Sequence, residues 1–90
     1  MRATLRELAP VLRSRWGVRV VGVFGSVARG DGGPTSDVDL LVQLERPLGL
    51  AFVDLVEFLE GKLGRRVDLL SRDFVRPRLW REIEAEVVPV

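Results

Sequence analysis

Residues 18–44 read VRVVGVFGSVARGDGGPTSDVDLLVQL, and the fold turns on this stretch. Its first seven residues form a β-branched run, the composition of a strand buried on both faces. Residues 25–30 read as a tight turn opening a short helix. Residues 31–36, with glycines and a proline, read as a loop. Residues 37–44 are the second strand. Alternate side chains on a strand face opposite ways. Val38, Leu40, Val42 and Leu44 therefore share one face, and Asp37, Asp39, Leu41 and Gln43 the other. Two aspartates two residues apart point the same way, about 7 Å apart along the strand.

The flanking sequence supplies further elements. Thr4 and Glu7 have the spacing of a capping box, a helix start, and Leu5, Leu8 and Leu12 recur at helical spacing. Pro10 predicts a kink there, or a helix that begins late, because an interior proline removes a backbone donor. Gly17 ends the helix. Residues 50–63 form a second long helix with Phe52, Val56, Leu59 and Leu63 as its stripe, and Gly64 suits its C-cap. Residues 66–70 (RVDLL) are a short third strand, with Val67 and Leu69 on one face and Asp68 on the other. A last helix is expected from about residue 73 to residue 86, with Val75, Leu79 and Ile83 turned inward. Trp80 is offset from that face, and residues 87–90 form an apolar tail. An exposed tryptophan beside an apolar tail fits a protein interface, so oligomerisation through this C-terminal region is expected. The fold class is α+β with an α/β-like alternation: one small mixed sheet covered by helices.

Ninety residues make one small domain, residues 1–90, with a real but thin core. Apolar residues at 47 % and charged residues at 30 % are globular values. No apolar run approaches the roughly 20 residues that span a bilayer. Met1 leads straight into charged, helix-forming sequence, so a cytoplasmic location and no membrane partner are expected. The chain has no cysteine and no histidine. Disulfides, thiolate zinc sites and the usual general base are thereby excluded, and any metal must be hard and oxygen-bound. A net charge of +1 gives no reason to expect direct nucleic-acid binding.

The third strand completes the chemistry if it pairs with the second, because Asp68 then joins Asp37 and Asp39. Three unpaired carboxylates on one patch repel one another, and a divalent cation cancels that repulsion. Mg²⁺ prefers oxygen ligands and combines a few carboxylates with substrate phosphates. Two such ions about 3.5–4 Å apart serve both the attacking and the leaving oxygen of a phosphoryl displacement. The glycine turn offers backbone N–H groups to an anion. Gly25 lets a phosphate come close, Ser26 adds a hydroxyl, and Arg29 lies about one helical turn on. Asp31 reads as a turn former and Asp73 as a helix N-cap.

Gly25-Ser26, ten residues, then Asp37-Val38-Asp39 resembles the hallmark motif of the DNA polymerase beta-like nucleotidyltransferase superfamily. The fuller string, residues 25–30 followed by Ser36-Asp37-Val38-Asp39-Leu40, is similar to the minimal nucleotidyltransferases that pair with HEPN-domain proteins as toxin–antitoxin modules. The resemblance covers nearly the whole chain. It implies a nucleotidyltransferase fold. Asp37 and Asp39 would ligate two Mg²⁺ ions, while Asp68 would complete the second site and help activate the incoming hydroxyl. Ser26 and Arg29 would bind the triphosphate, and Gly25 and Gly30 would shape the loop. The implied reaction moves a nucleoside monophosphate, AMP from ATP, to a tyrosine of a HEPN toxin encoded nearby, and so silences it. Larger members carry a second domain that helps hold base or acceptor, and this chain stops at residue 90. Two rivals follow: an antitoxin that neutralises by binding alone, and transfer to a small molecule.

Overall fold

A computed structural model describes residues 2–30, 33 and 36–90. In chain order the elements are α1 (Arg2–Trp16), β1 (Val18–Phe24), α2 (Gly25–Arg29), β2 (Val38–Leu44), α3 (Ala51–Leu63), β3 (Val67–Ser71), α4 (Pro77–Glu86) and β4 (Val88–Pro89). A 3₁₀ turn over Arg72–Phe74 links β3 to α4. The four strands form one sheet in the order β3-β2-β1-β4. β1 runs antiparallel to both β2 and β4, whereas β2 and β3 run parallel, with α3 as their crossover.

The alternation read along β2 is what positions the core. Val38, Leu40 and Val42 are fully buried and join Leu5, Leu12, Leu55 and Leu59 from α1 and α3 in one cluster. Each buried leucine of this kind is worth about 1.5–3 kcal/mol relative to exposure. Trp16 at the end of α1 meets Phe58 of α3 with ring centroids 5.1 Å apart, and the Arg15 guanidinium lies 4.4 Å over the indole. This face is apolar and holds no titratable group of the site.

The opposite face of β2 carries Asp39, Leu41 and Gln43. Leu41 is also fully buried, yet lies outside the main cluster. The 3₁₀ turn touches β2, and α4 touches α2, so this side of the sheet is partly covered as well.

Several expectations shift in detail. α1 runs unbroken through Pro10, which is exposed. The residue whose carbonyl loses its donor there, Arg6, is itself exposed. The buried centre of α3 is Leu55 and Leu59, with Phe52, Val56 and Leu63 at its margins. α4 begins at Pro77, a residue preorganised for the first helical position, not at residue 73. Asp73 sits in the 3₁₀ turn, where its N–H donates to Ser71 Oγ at 3.4 Å. Leu79 is 48 % exposed, while Ile83 is buried. Trp80 is half-buried, and the Arg72 guanidinium lies 4.7 Å from its ring. The apolar tail contains β4: Val88 pairs with Val23, and Pro89 with Gly22. A Cβ on Gly22 would collide with the Val88 carbonyl oxygen and lie 2.7 Å from Val87 Cγ1. Glycine at this position is therefore what admits the last strand. Among the described residues no helix is long and apolar enough to cross a membrane.

Candidate functional site

The candidate site lies where β1 ends, β2 begins and β3 runs alongside. β2 starts at Val38, whose N–H donates to the Arg66 carbonyl at 2.9 Å. Asp37 is therefore the exposed residue just before the strand, not its first member. Asp39 is half-buried within β2, with Phe24 at the end of β1 as its partner on one side and Asp68 of β3 on the other. Neighbouring strands lie about 4.7–4.9 Å apart, so the Asp39 and Asp68 side chains leave the sheet together. The parallel β2–β3 pairing thus supplies the condition on which convergence of the three acids depended. A carboxylate oxygen of Glu60, near the end of α3, accepts the Val67 N–H at 3.0 Å. That bond pins the residue immediately before Asp68.

Crowding leaves a mark on proton affinity. The Asp39 carboxyl is raised above the ordinary value of 3.8, first because burial strips water from its charged form. The negative charges of Asp68 and then Asp37 raise it further, and a hydrogen bond with Asp68 adds to this. The Arg29 guanidinium opposes these effects and lowers it. Charge repulsion between close carboxylates has this sign.

The glycine turn is built against the same acid. Gly25 has φ +70°, in the left-handed region that favours glycine. A Cβ there would collide with Asp39 Oδ2 and stand 3.1 Å from its Cγ. Gly25 is thus required twice, by its backbone angle and by the carboxylate lying over its Cα. Ser26 is half-buried in the first turn of α2. Gly30 caps α2 at φ +78°, its N–H donating to the Ser26 and Val27 carbonyls. Arg29 ends the helix on the surface, and its Nη1 meets Glu86 Oε1 of α4 at 3.4 Å. Asp31, read as a turn former, lies outside the described residues.

The structure therefore brings Gly25, Ser26, Arg29, Asp37, Asp39 and Asp68 to one end of the sheet. The donors suit a hard cation, being oxygen only. Among the described residues, however, no three acidic side chains stand arranged as a ready-made cage for an ion. Glu60, which holds the residue before Asp68, and Glu86, which meets Arg29, were not singled out in the sequence. Both lie on helices with several exposed acids, and nothing in their local sequence sets them apart.

Residues 5–89 match the family model of the nucleotidyltransferase domain. The chain belongs to this family. It is 46 % identical over 95 residues to the protein adenylyltransferase MntA of Thermococcus cleftensis, covering 97 % of this chain and 96 % of that one. Among solved structures it resembles one described as a minimal nucleotidyltransferase, with a TM-score of 0.79 and 45 % identity over 99 % of this chain and 91 % of the other. It also shares its fold with a chain of a toxin–antitoxin structure crystallised with AMP-PNP. There the TM-score is 0.77 at 22 % identity, covering 97 % of this chain and 69 % of that one. These matches identify the chain as an enzyme of the minimal nucleotidyltransferase type.

Proposed function

We propose that this chain transfers AMP from ATP to a hydroxyl of a partner protein, a tyrosine of a HEPN-domain toxin, and acts as that toxin's antitoxin. The observation that carries this reading is the contact between Gly25 and Asp39. It joins the glycine turn to a carboxylate whose strand neighbour is Asp68. A triphosphate seated on the turn would have its phosphorus atoms beside the acids. The name of the Thermococcus relative supports the nucleotide and the protein acceptor.

In this reading Asp37, Asp39 and Asp68 would hold Mg²⁺, a hard cation that their oxygen donors suit. Bound there, it would supply charge neutralisation to the phosphates and the acids. Gly25 lets the phosphates approach the backbone, Ser26 donates to them, and Gly30 ends α2 sharply. Arg29 turns guanidinium N–H groups toward the same anion. The acceptor oxygen attacks the α-phosphorus as the bond to the bridging oxygen breaks, releasing pyrophosphate. Asp68, exposed at the sheet edge, takes the hydroxyl proton. Arg29 favours the charged form of Asp39 against burial and its acidic neighbours, and a cation held there would do the same. The acceptor enters from the exposed side of β3, where the partner completes the site.

Intact-protein mass spectrometry tests this. The chain is incubated with ATP, Mg²⁺ and the protein of the adjacent gene, with Asp37→Asn/Asp39→Asn as control. Gain of one or more AMP units on the partner, lost in the control, is expected. A stable complex with no mass gain would replace the proposal with neutralisation by binding alone. A mass gain on a small acceptor only would move it to small-molecule transfer.

A further inference from the structure

Phe74 serves neither the core nor the candidate site, and it is 79 % exposed. It closes the 3₁₀ turn over Arg72–Phe74, which leads out of β3. That turn is tied down. The Asp73 N–H donates to Ser71 Oγ at 3.4 Å, and the Val75 N–H to the Arg72 carbonyl at 3.2 Å. The turn also packs on β2. An ordered backbone therefore holds a large aromatic side chain out in water. Binding to such a side chain costs little further ordering of the chain, and aromatic anchors of this kind carry much of the energy of protein interfaces.

Positive charge gathers on the same segment. Residues 72–81 carry four arginines and one aspartate, whereas the whole chain has a net charge of only +1. Arg72 lies over the Trp80 ring, while Arg76, Arg78 and Arg81 are exposed. Among the described residues none of these three pairs with a carboxylate. Arg76, Arg78 and the half-exposed Leu79 line one hollow with Glu82. Arg78 stands in the first turn of α4, which holds no acid. The helix macrodipole disfavours a cation at that end, and an arrangement that costs helix stability calls for another role. The strip also adjoins the acids. β3 is an outer strand of the sheet, and its last residue, Ser71, lies three residues past Asp68, about 10 Å along the strand. Three or four extended residues of another chain span that distance.

Resting on the AMP-transfer reading above, we infer that residues 72–81 are the docking surface for an acidic segment of the acceptor protein. Phe74 and Leu79 are its apolar anchors, and Arg76, Arg78 and Arg81 meet its carboxylates. A segment seated there brings a hydroxyl a few residues away within reach of Asp68. The same charges separate this occupant from a nucleic acid. A phosphate backbone carries charge at every nucleotide, and one laid along the strip would run onto Asp37, Asp39 and Asp68, which repel it. A peptide can be acidic over the strip and neutral where it meets the acids.

The test measures binding of a labelled glutamate–tyrosine copolymer to the full chain by fluorescence anisotropy, with titration calorimetry of Mg²⁺–ATP in parallel. Wild type is compared with Arg78→Gln/Arg81→Gln and with Phe74→Ala. Arg6→Gln/Arg19→Gln is the control, removing the same charge from exposed positions on α1 and β1. Arg78→Gln/Arg81→Gln should weaken the copolymer about two- to ten-fold, the range of two exposed ion pairs. Phe74→Ala should weaken it about five-fold or more, and the control pair should leave it unchanged. ATP affinity should be equal in all four proteins. Melting temperatures should not fall, since none of the substituted side chains belongs to the core. A wild-type chain that ignores the copolymer, or an equal loss in the control pair, overturns the inference. Tighter binding of polyuridylate, lost in the same variants, overturns it too and makes the strip an RNA surface. A wild-type chain that binds no ATP removes the AMP-transfer reading and the inference together. Copolymer binding indifferent to the strip, in a chain that binds ATP, removes the inference alone.

Discussion

Asp39→Asn should make the ligand-free protein more stable while abolishing its activity. Asp39 is half-buried, directly beside Asp68 and near Asp37, and both neighbours push its proton affinity up. Two like charges about 4 Å apart repel by about 1 kcal/mol in water and about 4 kcal/mol at an effective dielectric of about 20. Asp68 is exposed, which favours the lower end, so about 1–2 kcal/mol is expected from removing one charge. Asparagine is nearly isosteric and keeps a donor for the hydrogen bond with Asp68. For a domain of this size 1 kcal/mol shifts the melting temperature by about 4–8 °C, and a rise of about 5–10 °C is predicted at neutral pH without metal or nucleotide. The pH dependence has a definite sign. The native state holds the Asp39 proton more tightly than the unfolded chain does, so wild-type stability falls as pH rises from about 3.8 through the raised native value. Above that window the penalty is constant, and Asp39→Asn lacks this part of the slope. Mg²⁺ with ATP should reverse the order of the two proteins, because only the wild type gains binding energy. Thermal melts across pH, with and without Mg²⁺–ATP, measure all three effects. An equal or lower melting temperature for the ligand-free variant would refute the reasoning: Asp39 would then be held by net favourable contacts.

Other substitutions probe neighbouring features. Gly25→Ala should lose about 1–3 kcal/mol, the cost of a strained backbone position, and all nucleotide binding, since its Cβ strikes Asp39; chemical denaturation and calorimetry measure the two. Gly22→Ala should detach β4 and raise amide exchange at Val23 and Val88 before it unfolds the domain. Leu55→Ala empties a fully buried position and should cost about 2–5 kcal/mol by denaturant melts, while Phe52→Ala at the margin of α3 should cost less.

The sheet and site were legible to different depths. β2 could be read because its two faces have different jobs, and the alternation of Val38, Leu40 and Val42 with Asp39 says so. The pairing of β3 could only be posed as a condition, because strand order is a long-range property. The α3 stripe was displaced toward Phe52 and Val56 because nearly every residue on that helix's inner half is apolar, so period alone cannot fix its centre. The start of α4 was misplaced although Pro77 marks it: the apolar spacing of Val75, Leu79 and Ile83 continued across the proline. β4 is two residues long and has no periodicity to read. Its signature is carried by Gly22, sixty-six residues away from Val88, as a missing side chain.

That separation also sets an order of events. Chains fold from the amino terminus as they are made, and β4 follows every other element. The β1–β2 pair can form early, whereas β4 can join β1 only after everything between them has been made. The ion pair at Arg29 forms only afterwards. Both the Arg29–Glu86 contact and the closing strand come later in synthesis than the acids, and a chain lacking them would keep its carboxylates without that closure.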